Sequence, residues 1–369
     1  MNQLFRWDQT GLFLLALAAG ILPFAVPEVC AAALREGLTL CSGPLLLSLF
    51  PFLVVSRLLI QCPESDLLAL PFRLAAWGIG IRTPCAARVL CIGFLGGFAP
   101  AASAAAQAVR TGQLTAEEAD ALLPACICSG PSFVVLTVGQ SLLGSAELGV
   151  LLFASQITAN YLTAALLNRF AGVRSVKPGS AAPAFPAPPR LDEILADAAI
   201  TYCKLCGFIL FFRMLAAGAE ALLPAGAGTL CAILLEVCSG CDLASRTGRW
   251  GSLLCCAALS VQGLSVLLQV RTICPPEMTL RPLYRARMLH LPLSLALFYL
   301  LLPGGEADVF STLPARVLLM RRVPPDCALL VFAVCCMAAC TLRSGIRQVE
   351  QKQMARNAGG CCINSKTLL

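Results

Sequence analysis

Long apolar stretches alternate with short polar ones along this chain, and several of the apolar stretches are interrupted from within. Residues 11–33 form an apolar run containing Pro23 and Pro27. No small-residue cleavage site leads from it into a polar chain, so it is read as a first span and not a removed signal. A second span is expected at 43–62, where Arg57 is the only charge. Segment 89–107 (VLCIGFLGGFAPAASAAAQ) is uncharged but dense in Gly, Ala, Ser and Pro, which predicts a broken membrane segment. In QLTAEEAD (113–120), Thr115 followed three residues later by Glu118 predicts a capping box and a helix start. That helix leads into an uncharged stretch, 121–143, interrupted at Ser129-Gly130-Pro131-Ser132, and a plain span is expected at 148–168.

The prolines of 171–190 predict an extended spacer. Beyond it lies a lead-in at 191–199, then a span at 200–222 carrying Arg213. A Gly-rich segment, 225–247, carries Glu236 and Asp242. Next comes an uncharged stretch, 250–270, interrupted at Gln262-Gly263. Spans are expected at 286–303 and 325–342, followed by a basic tail. The two halves therefore repeat one order: span, Gly-rich broken segment, span broken in the middle, plain span. SLFPFLVVSRLL (48–59) and KLCGFILFFRML (204–215) align on Leu49/Leu205, Phe52/Phe208, Arg57/Arg213 and Leu59/Leu215. The expected division is an N-terminal span (1–40), a first gate repeat (41–170), a Pro-rich cytoplasmic linker (171–190) and a second gate repeat (191–305). An outer loop with the last span (306–342) and a cytoplasmic tail (343–369) complete it.

Composition fixes the solvent. Apolar residues make up 58% and charged residues 13%, with mean hydropathy +0.80, against about 25% charged in a soluble domain. That is too apolar for disorder and points to an integral membrane protein with lipid as its surroundings. The net charge of +7 comes without any basic run interleaved with aromatics, so nucleic acid is not an expected partner. If the broken Gly-rich segments are re-entrant hairpins, about eight full spans result. Lys and Arg then gather on the side of the termini and linker, from Arg6, Arg73 and Arg82 through Lys177 and Arg190 to Arg343 and Lys366. The opposite side holds Arg35, Arg246, Arg249, Arg316, Arg321 and Arg322. The rich side is expected to be cytoplasmic, and the second repeat is then inverted relative to the first. The expected fold class is all-α polytopic, with two inverted repeats carrying re-entrant hairpins and broken helices.

Most of the 21 cysteines sit within apolar runs, where a thiol is a small packing residue. Cys203/Cys206 and Cys238/Cys241 have CxxC spacing, yet with His290 as the single histidine a zinc site would need nearly all-cysteine ligands. No metal or cofactor is expected. The paired Cys361 and Cys362 offer acylation sites or a plain free tail. No Ser/His/Asp set, P-loop, dinucleotide fingerprint or HExxH occurs, so no enzyme is expected.

Irregular backbone at membrane depth is tolerated only inside protein or beside a watery cavity, so the breaks are the site candidates. The first hairpin offers Gly96, Gly97, Pro100 and Ser103; the first broken span offers Ser129, Gly130 and Ser132. The second hairpin offers Glu236, Ser239 and Gly240, and the second broken span offers Gln262, Gly263 and Ser265. The alternative for the small residues is close helix packing. Glu236 is a candidate for proton or cation coupling, for a hydrogen bond to a polar substrate, or for a structural partnership. Arg57 and Arg213 either attract an anion, pair with a carboxylate or reach the interface. His290 is expected to be packed or interfacial and not a proton relay.

FPFLVVSRLL (50–59), GFLGGFAPAASAAAQAVRTGQLTAEEADALL (93–123), CSGPSFVVLTVG (128–139), LLEVCSGC (234–241) and LSVQGLSVLLQV (259–270) resemble the YlbJ-type (SpoVV) sporulation integral membrane proteins. These belong with the nucleoside-recognition gate family. The resemblance implies a fold similar to concentrative nucleoside transporters, with two hairpins and two unwound helices around a substrate. It also implies passage of a small anion, dipicolinic acid, across the outer forespore membrane during sporulation. Transport of a nucleoside or another polar metabolite, and a non-transporting sporulation assembly factor, are the alternatives. A homo-oligomer is compatible with each.

Overall fold

A computed structural model describes residues 9–62, 65–172 and 191–302. Most of the Pro-rich linker, the outer loop, the expected last span and the tail with Cys361 and Cys362 lie outside the described residues. Every regular element among the described residues is helical. Four helical stretches are long and apolar enough to cross a membrane: Pro27–Leu47, Ala146–Ala171, Leu191–Leu222 and Gly248–Ile273. By length and composition these make the chain an α-helical membrane protein.

The amino-terminal run divides into α1 (Gln9–Ala25) and α2 (Pro27–Ser42) instead of continuing through 11–33. Pro27 lacks an N–H and takes the first position of a new helix, where none is needed. A long helix, α3 (Pro44–Gln61), follows, then the short α4 (Ser65–Leu68) and α5 (Leu70–Gly78). The first hairpin is α6 (Pro84–Gly96) and α7 (Phe98–Arg110), which meet at Gly97. The α7 alanines Ala99, Ala101, Ala102, Ala104 and Ala105 are fully buried. Small side chains let this helix approach its neighbours α3 and α6 closely, which is how helices associate when water supplies no driving force.

The capping box is present at the start of α8 (Ala116–Cys126): Thr115 Oγ accepts from the Glu118 N–H, and Glu118 reaches back to the Thr115 N–H. The chain unwinds after Cys126 and resumes at Ser132–Leu142 as an 11-residue π-helix, followed by α9 (Ala146–Ala171). The lead-in and the next span form one continuous 32-residue helix, α10 (Leu191–Leu222). The second hairpin is α11 (Ala225–Leu235) and α12 (Val237–Ser245). Its break falls at Glu236, whose side chain caps the new helix. Then come α13 (Gly251–Val261) and α14 (Gly263–Ile273), broken at Gln262, and α15 (Arg281–Leu301).

The largest apolar cluster joins α6–α9 to α12–α15, so the hairpins and broken helices form the centre. Around them α1, α9, α10 and α15 present large apolar side chains outward, including Phe24, Phe170 and Leu300. Large apolar side chains exposed on the exterior suit lipid.

Candidate functional site

Each broken helix meets the hairpin that precedes it, backbone to backbone. Gly97 has φ +80, a conformation that favours glycine, and a methyl group added there would sit 2.6 Å from the Gly130 nitrogen. Gly263 has φ +68, and a methyl there would sit 2.9 Å from the Glu236 nitrogen. These two glycines are contact points between breaks. At Gly130 an added methyl would meet the Gly96 carbonyl oxygen at 3.4 Å, an ordinary contact.

The two pairs of breaks are tied together at one carbonyl. Ile127 O, freed by the unwinding after α8, accepts from Arg287 Nη2 at 2.6 Å, Asn160 Nδ2 at 3.3 Å and Gln262 Nε2 at 3.4 Å. Gln262 holds φ 62, a strained value for a residue with a side chain. Arg287 also donates to Ser260 O at 3.3 Å, at the end of α13, so one guanidinium spans the carbonyl ends of both broken helices. It is buried, and no carboxylate pairs with it among the described residues. The partial negative charge of two helix ends is its compensation. His290, one turn on, is packed: its ring meets Ser260 Oγ at 2.5 Å and the Gln156 carbonyl at 3.2 Å.

Glu236 is 2% exposed. Its two carboxylate oxygens accept from the backbone N–H groups of Cys238 (2.9 Å) and Ser239 (2.7 Å), the first turn of α12. It thus fills the anion site that the start of its own helix creates. Ser239 serves it through that N–H, and Gly240 lets α12 lie close on Ile233 of α11. The starts of α7 and α14 carry no side-chain cap.

A small central cavity of about 60 Å³, with largely apolar walls, opens where three of the breaks converge. Gly96, Ser129, Gly130, Ser132 and Glu236 line it, together with Gln269 of α14. Five sequence candidates from three separate breaks are therefore brought to one place. Gly97, Gln262 and Gly263 stand behind it as linkers between breaks. Ser265 accepts a hydrogen bond from Gln269 Nε2 at 2.9 Å. Ser103 instead lines a second, basic chamber of about 180 Å³, with Arg57, Arg110, Lys204 and Asp197. Gln269 borders both spaces. It is buried, and its Oε1 has no partner.

Arg57 pairs with Asp197 of α10, and Arg213 pairs with Glu36 of α2 at 2.6 Å. The cysteines of the described residues are free thiols, and no group of three or more metal-ligating side chains occurs among those residues. Gln269, Asn160 and Arg287 were not legible as site residues. Each reads as a polar residue on a helix face until the breaks are placed; the signal available was the lone amide or charge within an apolar stretch.

Fold and site together define a helical membrane protein with a small central cavity bordered by interrupted helices. No family model, curated protein or solved structure matches the chain.

Proposed function

We propose that the chain is a membrane transporter for a small anionic metabolite. The observation that carries this reading is the convergence of three helix breaks on one central cavity that shares Gln269 with a basic chamber. Discontinuous helices at a common centre are how secondary transporters build solute sites, and unwound backbone gives hydrogen bonds without bulky side chains. Two inverted repeats, α3–α9 and α10–α15, similar to those of concentrative nucleoside transporters, account for the matched order of parts. Dipicolinate passing the outer forespore membrane is the substrate and setting that the resemblance to the sporulation family implies. In this reading the uncapped start of α7, at Phe98, faces a carboxylate, while Glu236 is held by the N–H groups of its own helix.

A nucleoside or another neutral polar metabolite is the second reading. What favours it is the pair of acceptors in the lining, Glu236 and the unpartnered Oε1 of Gln269. Uptake by vesicles containing the purified protein separates the two. Labelled dipicolinate, uridine and an empty-vesicle control are compared at equal protein. The anion reading expects dipicolinate uptake at least about 10-fold above control, equivalent to about 1.4 kcal/mol, with uridine at control level. Uridine uptake without dipicolinate uptake would replace it with the second reading.

A further inference from the structure

The basic chamber lies between α3, α7, α10 and α14, and its chemistry differs from that of the central cavity. It presents Arg57, Arg110 and Lys204 against one carboxylate, Asp197. Asp197 touches Arg57 through Nη1 alone, at 2.5 Å, and its side chain is 60% exposed. The Arg57 side chain is 12% exposed, and its Nε is buried with no acceptor. A guanidinium holds a carboxylate or phosphate best through two parallel N–H donors, so this fork is half used. An ion pair with one partner in solvent is weak and easily exchanged. Arg110 and Lys204 are exposed, and neither has an ion-pair partner among the described residues. Inward of the cations lies the buried, unsatisfied Gln269, which leads to the central cavity.

We propose that this chamber is a second anion site, for an oxyanion that presents two oxygens to Arg57, with Asp197 as its built-in competitor. A small dicarboxylate from solution and the phosphate of an anionic lipid share that chemistry. The incoming oxyanion takes Nη1 and Nη2 of Arg57 as an end-on fork, Asp197 swings to solvent, and Arg110 and Lys204 balance a second negative charge. Arg57 belongs to α3 and Asp197 to α10, so the exchange also removes the ion pair that ties these helices at the chamber. Binding here stands apart from the proposed function; only the chamber's place on a solute path rests on it.

The test is a titration of the full-length protein in phosphatidylcholine nanodiscs with pyridine-2,6-dicarboxylate. All variants carry Gly130→Leu to block the central cavity. Asp197→Asn is expected to tighten binding about threefold, the scale of releasing one exposed ion pair. Arg57→Gln is expected to weaken it about 10-fold, and Arg57→Lys, which keeps the charge but loses the fork, by at least about threefold. Discs containing phosphatidylglycerol distinguish the source. Competition there assigns the site to lipid phosphate, its absence assigns it to the soluble dicarboxylate, and both uphold an oxyanion site. Folded Asp197→Asn and Arg57→Lys proteins that bind like the Gly130→Leu parent, or a parent that binds neither anion, would overturn the proposal. Anion binding in this chamber by a protein that moves no solute would overturn the transport reading alone.

Discussion

Glu236 shows how a residue visible in the sequence acquires its role only from the position of a helix break. A carboxylate within an apolar stretch stands out at once, whereas its use as a cap depends on the chain unwinding at 236. The two backbone N–H groups it accepts set the cost of changing it. In Glu236→Gln one oxygen still accepts, but the amide nitrogen turns a donor toward a donor. We expect a folded protein that loses about 1–3 kcal/mol, read as a lower midpoint of thermal unfolding in detergent. An unchanged midpoint would mean that the cap contributes nothing to stability. The glycines divide by the same reasoning. Gly97 faces the Gly130 backbone with a positive φ, so Gly97→Ala is expected to lower the yield of folded protein. Gly130 lines the cavity and has the ordinary φ and contact distance that Gly97 lacks, so Gly130→Leu should leave membrane levels near the parent's. Comparing the two by extraction and size-exclusion profile checks this; equal losses would mean that both positions only pack helices. Gln269 was not legible because its significance is a missing partner, which no sequence displays.

At the scale of elements, the breaks themselves were legible. Gly97, Ser129-Gly130-Pro131-Ser132 and Gln262-Gly263 interrupt uncharged runs, and Thr115 with Glu118 marks a helix start; the structure breaks or begins helices at each. The π-helix after Pro131 was not legible, since helix type there follows from packing against α9 and not from local propensity. Nor was Arg287, which reads as one of several arginines before a span. Its guanidinium joins the carbonyl ends of α8 and α13, so it holds two broken helices in one arrangement. Arg287→Leu leaves those carbonyls in an apolar interior without their donor. We expect destabilisation on the order of 3 kcal/mol. Arg287→Lys should lose less, because one ammonium can still reach one carbonyl. Thermal unfolding of the two variants tests this, and equal stability of Arg287→Leu and the parent would show that the breaks are held by other contacts.

For the whole molecule, charge asymmetry and the order of breaks carry the topology. The proposed inverted arrangement puts the loop between α7 and α8 on the basic side and the loop between α12 and α13 on the opposite side. With native cysteines replaced, Glu117→Cys and Thr247→Cys are therefore expected to label from opposite faces with an impermeant thiol reagent. Labelling of both from one face would end the inverted arrangement. The central claim is that a small anion passes through the cavity where three of the breaks meet. Its most direct test is dipicolinate flux into vesicles by the parent and by Gly130→Leu, matched for folded protein. The account predicts saturable flux by the parent and a loss of at least about 10-fold in the variant, or about 1.4 kcal/mol of transport barrier. Equal flux from both proteins would contradict it.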